Sequence, residues 1–282
     1  MKTTRKMNPM IVILIAASVM VVITIIVVLL LGGRYTTLAN GAKFLGEWEN
    51  GQPVIGTIQY ANDTEASLDY YNKTIIYSNG DVYIGDIVGG CRQGKGIMSY
   101  YATGDVYEGD FANDELSGNG TFRYSNGDVF TGTVVNSQKH GYGVFKYANG
   151  NSYEGFYEND VRQGEGTFTW ASGAKYVGAF SNDLKNGYGV MVYESGDKYE
   201  GNFKNDMRHG DNCVYSWAIG ERYNGSFRNN LMDTRVMDEN GNFLLDDQGK
   251  YIHGEMATYT FTTDRTYRGY FVDGKPEGIT IG

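Results

Sequence analysis

Between residues 83 and 225 the chain alternates side chains with a period of two, the period of a β-strand. Tyr153, Gly155 and Tyr157 share one face by this count, as do Gly164, Gly166, Phe168 and Trp170 in the next segment. Short polar clusters rich in Asn, Asp and Gly separate the alternating runs, so the pattern predicts many short strands joined by tight turns. One segment breaks the rule. Residues Met10 to Leu31 form 22 uncharged, strongly apolar positions. As a helix this run reaches about 33 Å, enough to cross a bilayer core, and it is too long for the apolar region of a cleaved signal peptide.

The alternation is also a repeat. An aromatic-x-Gly triplet begins at Tyr83, Tyr107, Phe130, Tyr153, Tyr176, Tyr199 and Tyr223, at spacings of 24, 23, 23, 23, 23 and 24 residues. A second signature, Gly-x-Gly-x-apolar-x-aromatic, follows most triplets, as in Gly118–Tyr124, Gly141–Tyr147, Gly164–Trp170 and Gly187–Tyr193. Each repeat therefore carries two strands. Asn79-Gly80, Asn126-Gly127 and Asn149-Gly150 are expected to form the tight turns that demand positive φ, and Asn113-Asp114, Asn159-Asp160, Asn182-Asp183 and Asn205-Asp206 mark the other turn. Pairing Tyr147 with Tyr153 places Phe145 opposite Gly155, Gly143 opposite Tyr157 and Lys146 opposite Glu154. In this register each ring covers a glycine on the neighbouring strand.

The block Tyr-Glu-Gly-x-Phe, Gly-x-Gly-x-Phe-x-Tyr, Asn-Gly-Asp at 23 residues resembles the MORN (membrane occupation and recognition nexus) repeat, over roughly residues 41–282. The resemblance implies an all-β fold: an elongated single-sheet β-hairpin solenoid, here preceded by one N-terminal transmembrane α-helix. It does not imply one chemistry. The expected organisation is a short basic tail (1–9), a membrane helix (10–31), a linker (32–43) and the solenoid (44–282). Residues 61–73 read as irregular, and 231–253 as an insertion of about one repeat length. The copy opening at Tyr199 has lost its second Gly and gained a residue around Asp211-Asn212-Cys213, which reads as a bulge.

Composition agrees with strands and turns: 40 Gly and 24 Tyr stand beside three Pro. Beyond Arg34, 20 Lys/Arg against 33 Asp/Glu leave a net charge of −13. Such a body repels nucleic acid and anionic headgroups. His140, His209 and His253 each precede a Gly at a repeat-register position and form no constellation. His140 and His209 are expected roughly 30 Å apart, two strands per repeat. Asp81, Asp105, Asp128 and Asp197 follow turn glycines as a spaced column, not a catalytic pair. No nucleophile motif, cofactor loop or metal-ligand spacing is evident, so no enzyme, cofactor or metal is expected. Cys91 and Cys213, five repeats apart, are too distant to bridge. Asn62, Asn72, Asn119 and Asn224 match the glycosylation pattern, a weak signal where Asn is abundant.

What remains is surface. Opposite the Gly/aromatic stripe lie Tyr142, Val144, Phe156, Val177, Tyr188, Val190 and Val192, a candidate partner-binding strip. With the apolar run as anchor, they suggest a membrane-anchored scaffold for protein–protein interaction. Glycan binding through outward aromatics and phospholipid-headgroup binding are the alternatives. Lys2, Arg5 and Lys6 precede the run and only Arg34 closely follows it, which places the N-terminus in the cytoplasm and the repeats outside the plasma membrane. The final strand, Gly278 to Gly282, offers an unblocked edge for a homodimer.

Overall fold

In a computed structural model, residues 34–263 and 265–277 are described. The basic tail, the expected membrane helix Met10–Leu31 and the edge Gly278–Gly282 lie outside them. Among the described residues no helix is long and apolar enough to cross a membrane. Their regular structure is all β, and the strands pair antiparallel, mostly with their neighbours in sequence. The chain divides into two compact units, one up to Lys139 and the other from His140.

The first unit starts earlier than the expected linker allows. Thr36–Thr37 pair with Lys43 and Phe44 at the start of strand Lys43–Glu49, which in turn pairs with Gln52–Gln59. The stretch expected to be irregular, 61–73, contains a regular strand. Glu65–Asp69 pairs with Gln52–Gln59 on one side and Thr74–Tyr77 on the other. Ala66 and Leu68 alternate inward there and are buried. The unit then continues as repeat hairpins, Val82–Val88 with Cys91–Ser99 and Val106–Ala112 with Glu115–Arg123, followed by Val129–Val135.

In the second unit the repeat is most regular. Ser152–Glu158 and Val161–Thr169 form a hairpin closed by Asn159-Asp160, whose φ values are 49° and 72°. Two consecutive positive-φ residues are the mark of a type I′ turn, whose twist matches that of the strands. The Asn-Asp pairs, not the Asn-Gly pairs, are thus the tightest turns. At Asn149-Gly150 only Gly150 is left-handed, at φ 90°. Its N–H donates to Tyr147 C=O (3.0 Å) and Tyr147 N–H to Asn151 C=O (2.9 Å), a type I turn with a glycine bulge.

The observed pairing differs from the expected register by two. Phe145 faces Tyr153, Gly143 faces Gly155, Gly141 faces Tyr157 and Lys146 faces Ser152. Glycine therefore opposes glycine, again at Gly155/Gly166, Gly166/Gly178, Gly178/Gly189 and Gly189/Gly201. Rings still cover the glycines, but from a different position. The Tyr153 ring folds over Gly155 of its own strand and Gly166 of the next, its hydroxyl 2.5 Å from where either Cβ would stand.

The same tyrosine secures a bulge. Pairing shifts between Gly155 and Tyr157, and the carbonyl of the bulged Phe156 accepts the Tyr153 hydroxyl at 3.0 Å. Tyr83, Tyr107, Tyr176, Tyr199 and Tyr223 make the equivalent bond three residues onward, at 2.7–3.1 Å. All six are fully buried, and burial raises the Tyr153 phenol to about 12. In the second unit these rings meet Phe180, Phe203, Phe227 and Phe271 edge-on at 5.1–5.2 Å. Each such contact contributes about 0.5–1.5 kcal/mol beyond burial. The core lies on this face.

The expected bulge near Asp211 is present. Gly210 faces Phe227 and Cys213 faces Gly225, so Asp211 and Asn212 together oppose Ser226, two residues against one. The insertion is anchored, not loose. Leu231–Met232 continues the pairing with Phe227 and Arg228, and bridges join Arg235 to His253, Met237 to Phe243 and Leu245 to Tyr251. Arg235 is buried in a bidentate contact with Asp233, also reaches Asp273, and lies under the Phe243 ring.

Candidate interaction surface

Alternation assigns each side chain to a face. Tyr153, Gly155 and Tyr157 point to the aromatic core, so Glu154 and Phe156 point to the opposite, outer face. The register carries this face across the second unit as parallel rows. One runs Val144, Glu154, Thr167, Val177, Val190, Glu200 and Val214. Beside it lie the Tyr142–Phe156 and Tyr188–Asn202 pairs.

All seven expected strip residues thus share one face of one unit. Tyr142, Phe156, Val177, Tyr188 and Val192 are 48%, 49%, 45%, 56% and 39% exposed, while Val144 and Val190 are half-buried. The Tyr142 and Phe156 rings meet edge-on at 5.7 Å. Carboxylates punctuate the strip and hold its phenols. Tyr142 donates to Glu154, and Tyr188 donates to Glu200 at 2.9 Å.

A third row was not singled out in the sequence. Lys146, Ser152, Thr169, Lys175, Val192, Lys198, Ser216 and Arg222 succeed one another strand by strand, and the four cations among them are exposed. Lys175, Lys198 and Arg222 occupy one repeat position, at spacings of 23 and 24. That recurrence, on the face opposite the glycines, was the available signal. The corresponding outer face of the first unit reads Ile84, Ile97, Glu108, Thr121 and Thr131, around an open concavity of about 810 Å³, and lacks such a cationic border.

The acidic column of the sequence has a structural use. Asp81, Asp105 and Asp197 each accept, at 2.8 Å, the backbone N–H of a residue in the following turn: Tyr101, Ser125 and Ala218. Asn151 does the same for Ala171 at 2.9 Å. These bonds hold the Asp105 and Asp197 carboxyls below the usual carboxylate range. The opposite turns carry a matching staple. Arg92, Arg162 and Lys185 donate their N–H groups to Asp114, Asp183 and Asp206. Arg162 also lies over Tyr153, Phe168 and Phe180 at 5.3–5.5 Å.

His209 and His253 serve separate local contacts. His209 is lowered by burial, and His253 contacts Thr234 and Glu277 and stacks on Tyr270. Among the described residues no group of His, Cys, Asp and Glu is arranged to hold a metal. Cys91 and Cys213 are unbridged and buried, the former raised to about 11 by desolvation. Cys213 fills a glycine slot, its sulfur 3.1 Å from the Tyr199 hydroxyl.

The family model for the MORN repeat matches residues 107–129, 130–152, 153–175, 176–198, 199–222 and 267–279. MORN repeats are detected: five consecutive and one apart. The hairpin opening at Tyr83 falls outside these matches but builds the same tyrosine cover over Gly85 and Gly96. No curated protein matches the chain. Among solved structures, it is similar to the TCP10 domain of Danio rerio CPAP in complex with a peptide of Danio rerio STIL. Identity is 12% over 76% of this chain and 98% of that one, with a TM-score of 0.35. A second likeness is the SAS-4 (dCPAP) TCP domain of Drosophila melanogaster in complex with a Proline Rich Motif of Ana2 (dSTIL), 14% identical over 70% and 92% of the chains, with a TM-score of 0.29. These likenesses are distant, and nothing about function rests on them.

Proposed function

We propose that this chain is a non-enzymatic, membrane-tethered scaffold that holds a protein partner along the outer face of its MORN repeats. The observation that carries the reading is the exposed strip from Tyr142 to Val192, set on a face whose backbone is fixed by strand pairing on both sides. Exposed apolar groups gathered on a rigid element mark an interaction surface. Support for the tether comes from Met10–Leu31, and for an outward-facing repeat domain at the plasma membrane from Lys2, Arg5 and Lys6. Homodimerisation through Gly278–Gly282 belongs to the same proposal, motivated by the absence of charge among these residues.

Capture from native membranes by the wild-type chain and by Tyr142→Ser/Tyr188→Ser, beside glycan retention and liposome sedimentation, tests the reading. A partner lost from the double variant supports it. Retention by glycans alone, or sedimentation with liposomes independent of protein capture, overturns it.

A further inference from the structure

The outer face of the second unit is an apolar strip bordered on one side by cations, within a body that is otherwise acidic. This asymmetry specifies more than the presence of a partner. Lys175, Lys198 and Arg222 stand in one row, separated in each interval by a single intervening strand through Val192 and Ser216. Strands lie about 4.8 Å apart, so these cations recur about every 9.6 Å along the row. Tyr142 and Tyr188 occupy the matching position two repeats apart, about 19 Å by the same spacing.

A chain laid along these rows must present one face at the same interval. An extended β-strand repeats a face about every 6.6 Å and loses register after one cation. A polyproline II segment rises about 3.1 Å per residue with three residues per turn, so one face returns every ~9.3 Å. The mismatch is ~0.3 Å per repeat, and ~0.6 Å across the three cations. Having no internal hydrogen bonds, such a segment bends to follow the twist of a sheet. Its proline rings dock on exposed aromatic and aliphatic side chains, here Tyr142, Phe156, Val177 and Tyr188.

Charge selects the third residue. The face carries Glu154, Glu165 and Glu200 as well as the cations. Glu154 accepts from Tyr142, and Glu200 accepts from Tyr188 and pairs with Lys198 at 2.8 Å. That pair is solvent-exposed and so is readily exchanged for an incoming carboxylate. Lys146 lies in the same row, three strands before Lys175.

We infer that the outer face of the second unit binds a partner segment in polyproline II conformation with an acidic residue at every third position, the carboxylates meeting Lys175, Lys198 and Arg222. This inference rests on the scaffold reading and names its ligand chemistry.

Fluorescence anisotropy of labelled (Glu-Pro-Pro)5 against the full-length chain in neutral detergent provides the test. Binding is expected, and should weaken about tenfold or more in Lys175→Glu/Lys198→Glu, where two close charge pairs become repulsive. Lys175→Gln, a milder change at an exposed site, should weaken it about threefold. A peptide of equal charge count with Glu at every second position should bind about tenfold less tightly, and (Lys-Pro-Pro)5 should not bind. The inference is overturned by no binding, by equal affinity for both spacings, or by affinity unchanged on charge reversal. Binding of phosphatidylserine vesicles through Lys175 and Lys198 overturns it in favour of a lipid surface. Should native partner capture still depend on Tyr142 and Tyr188 while (Glu-Pro-Pro)5 fails, the scaffold stands and only the ligand assignment falls.

Discussion

Gly166 leaves no room for a methyl group. A Cβ there would stand 2.5 Å from the Tyr153 hydroxyl and 2.6 Å from a ring carbon of a fully buried side chain. Gly166→Ala is therefore expected to cost about 2 kcal/mol or more through displacement of the ring. Gly173 supplies the contrast. Nothing lies within 4 Å of its Cβ position, but its φ is 92°, so Gly173→Ala should cost only about 1 kcal/mol, from backbone strain alone. Thermal or denaturant unfolding of the two variants separates the causes; equal losses would contradict the steric account. Tyr153→Phe keeps the ring and removes the hydroxyl bond to the bulged Phe156 carbonyl. Its expected cost is about 1 kcal/mol. The chain performs a version of this substitution itself, since Phe130 opens the copy where a tyrosine stands elsewhere. The aromatic-x-Gly spacing made the ring–glycine partnership legible. Which glycine each ring covers was not, because a one-strand period cannot report that Tyr153 reaches both its own strand and the next.

At the scale of the element, the turns decide register. Sequence favours Asn-Gly as the tightest hairpin turn, yet Asn159-Asp160 takes two positive φ values and Asn149-Gly150 only one. Asn and Asp tolerate the left-handed region well enough for a glycine-free type I′ turn, and the turn with its bulge at Gly150 closes the hairpin two off the expected register. The strand within 61–73 escapes the sequence pattern for a related reason. Its strand Glu65–Asp69 is short and has no glycine pair, although Ala66 and Leu68 alternate as a strand requires. The turn carboxylates also bear on pH. Asp105 and Asp197 have depressed folded values because backbone N–H groups favour the charged form. Their stabilisation is full above the unfolded carboxylate value near 3.9 and is lost as pH falls through the lower folded value. Asp105→Asn/Asp197→Asn should therefore leave neutral-pH stability nearly unchanged, as Asn151 already makes this bond to Ala171. It should also flatten the loss of melting temperature below about pH 4. Asp105→Ala, with no acceptor, should cost about 1 kcal/mol at neutral pH. An Asn double variant as acid-sensitive as the wild type would exclude these staples as a cause.

For the whole molecule the decisive expectation is which side of the membrane the repeats occupy. The charge distribution is lopsided. Lys2, Arg5 and Lys6 stand with the amino terminus before the apolar run, Arg34 alone closely follows it, and every acidic residue lies beyond Arg34. Orientation follows the excess of Lys and Arg beside an apolar span, and acidic residues contribute little, so the −13 body would not oppose the proposed outward orientation. In the proposed outward orientation, packing would shelter the buried thiols of Cys91 and Cys213 from oxidants. Protease added to intact cells should then remove the repeat domain, given cleavable turns such as those at Asn62–Asp63 and Asn240–Gly241, which are exposed. A compact β-domain resists cleavage within its strands, so loss of the membrane-associated band must be read with an antibody to the extreme N-terminus, which the bilayer protects in this topology. Replacing Lys2, Arg5 and Lys6 with Glu, and adding lysines after Arg34, should reverse the result, leaving the repeat domain protected until the membrane is permeabilised. Protection of the unaltered chain would place the repeats in the cytoplasm, and with them the partner that the outer face binds.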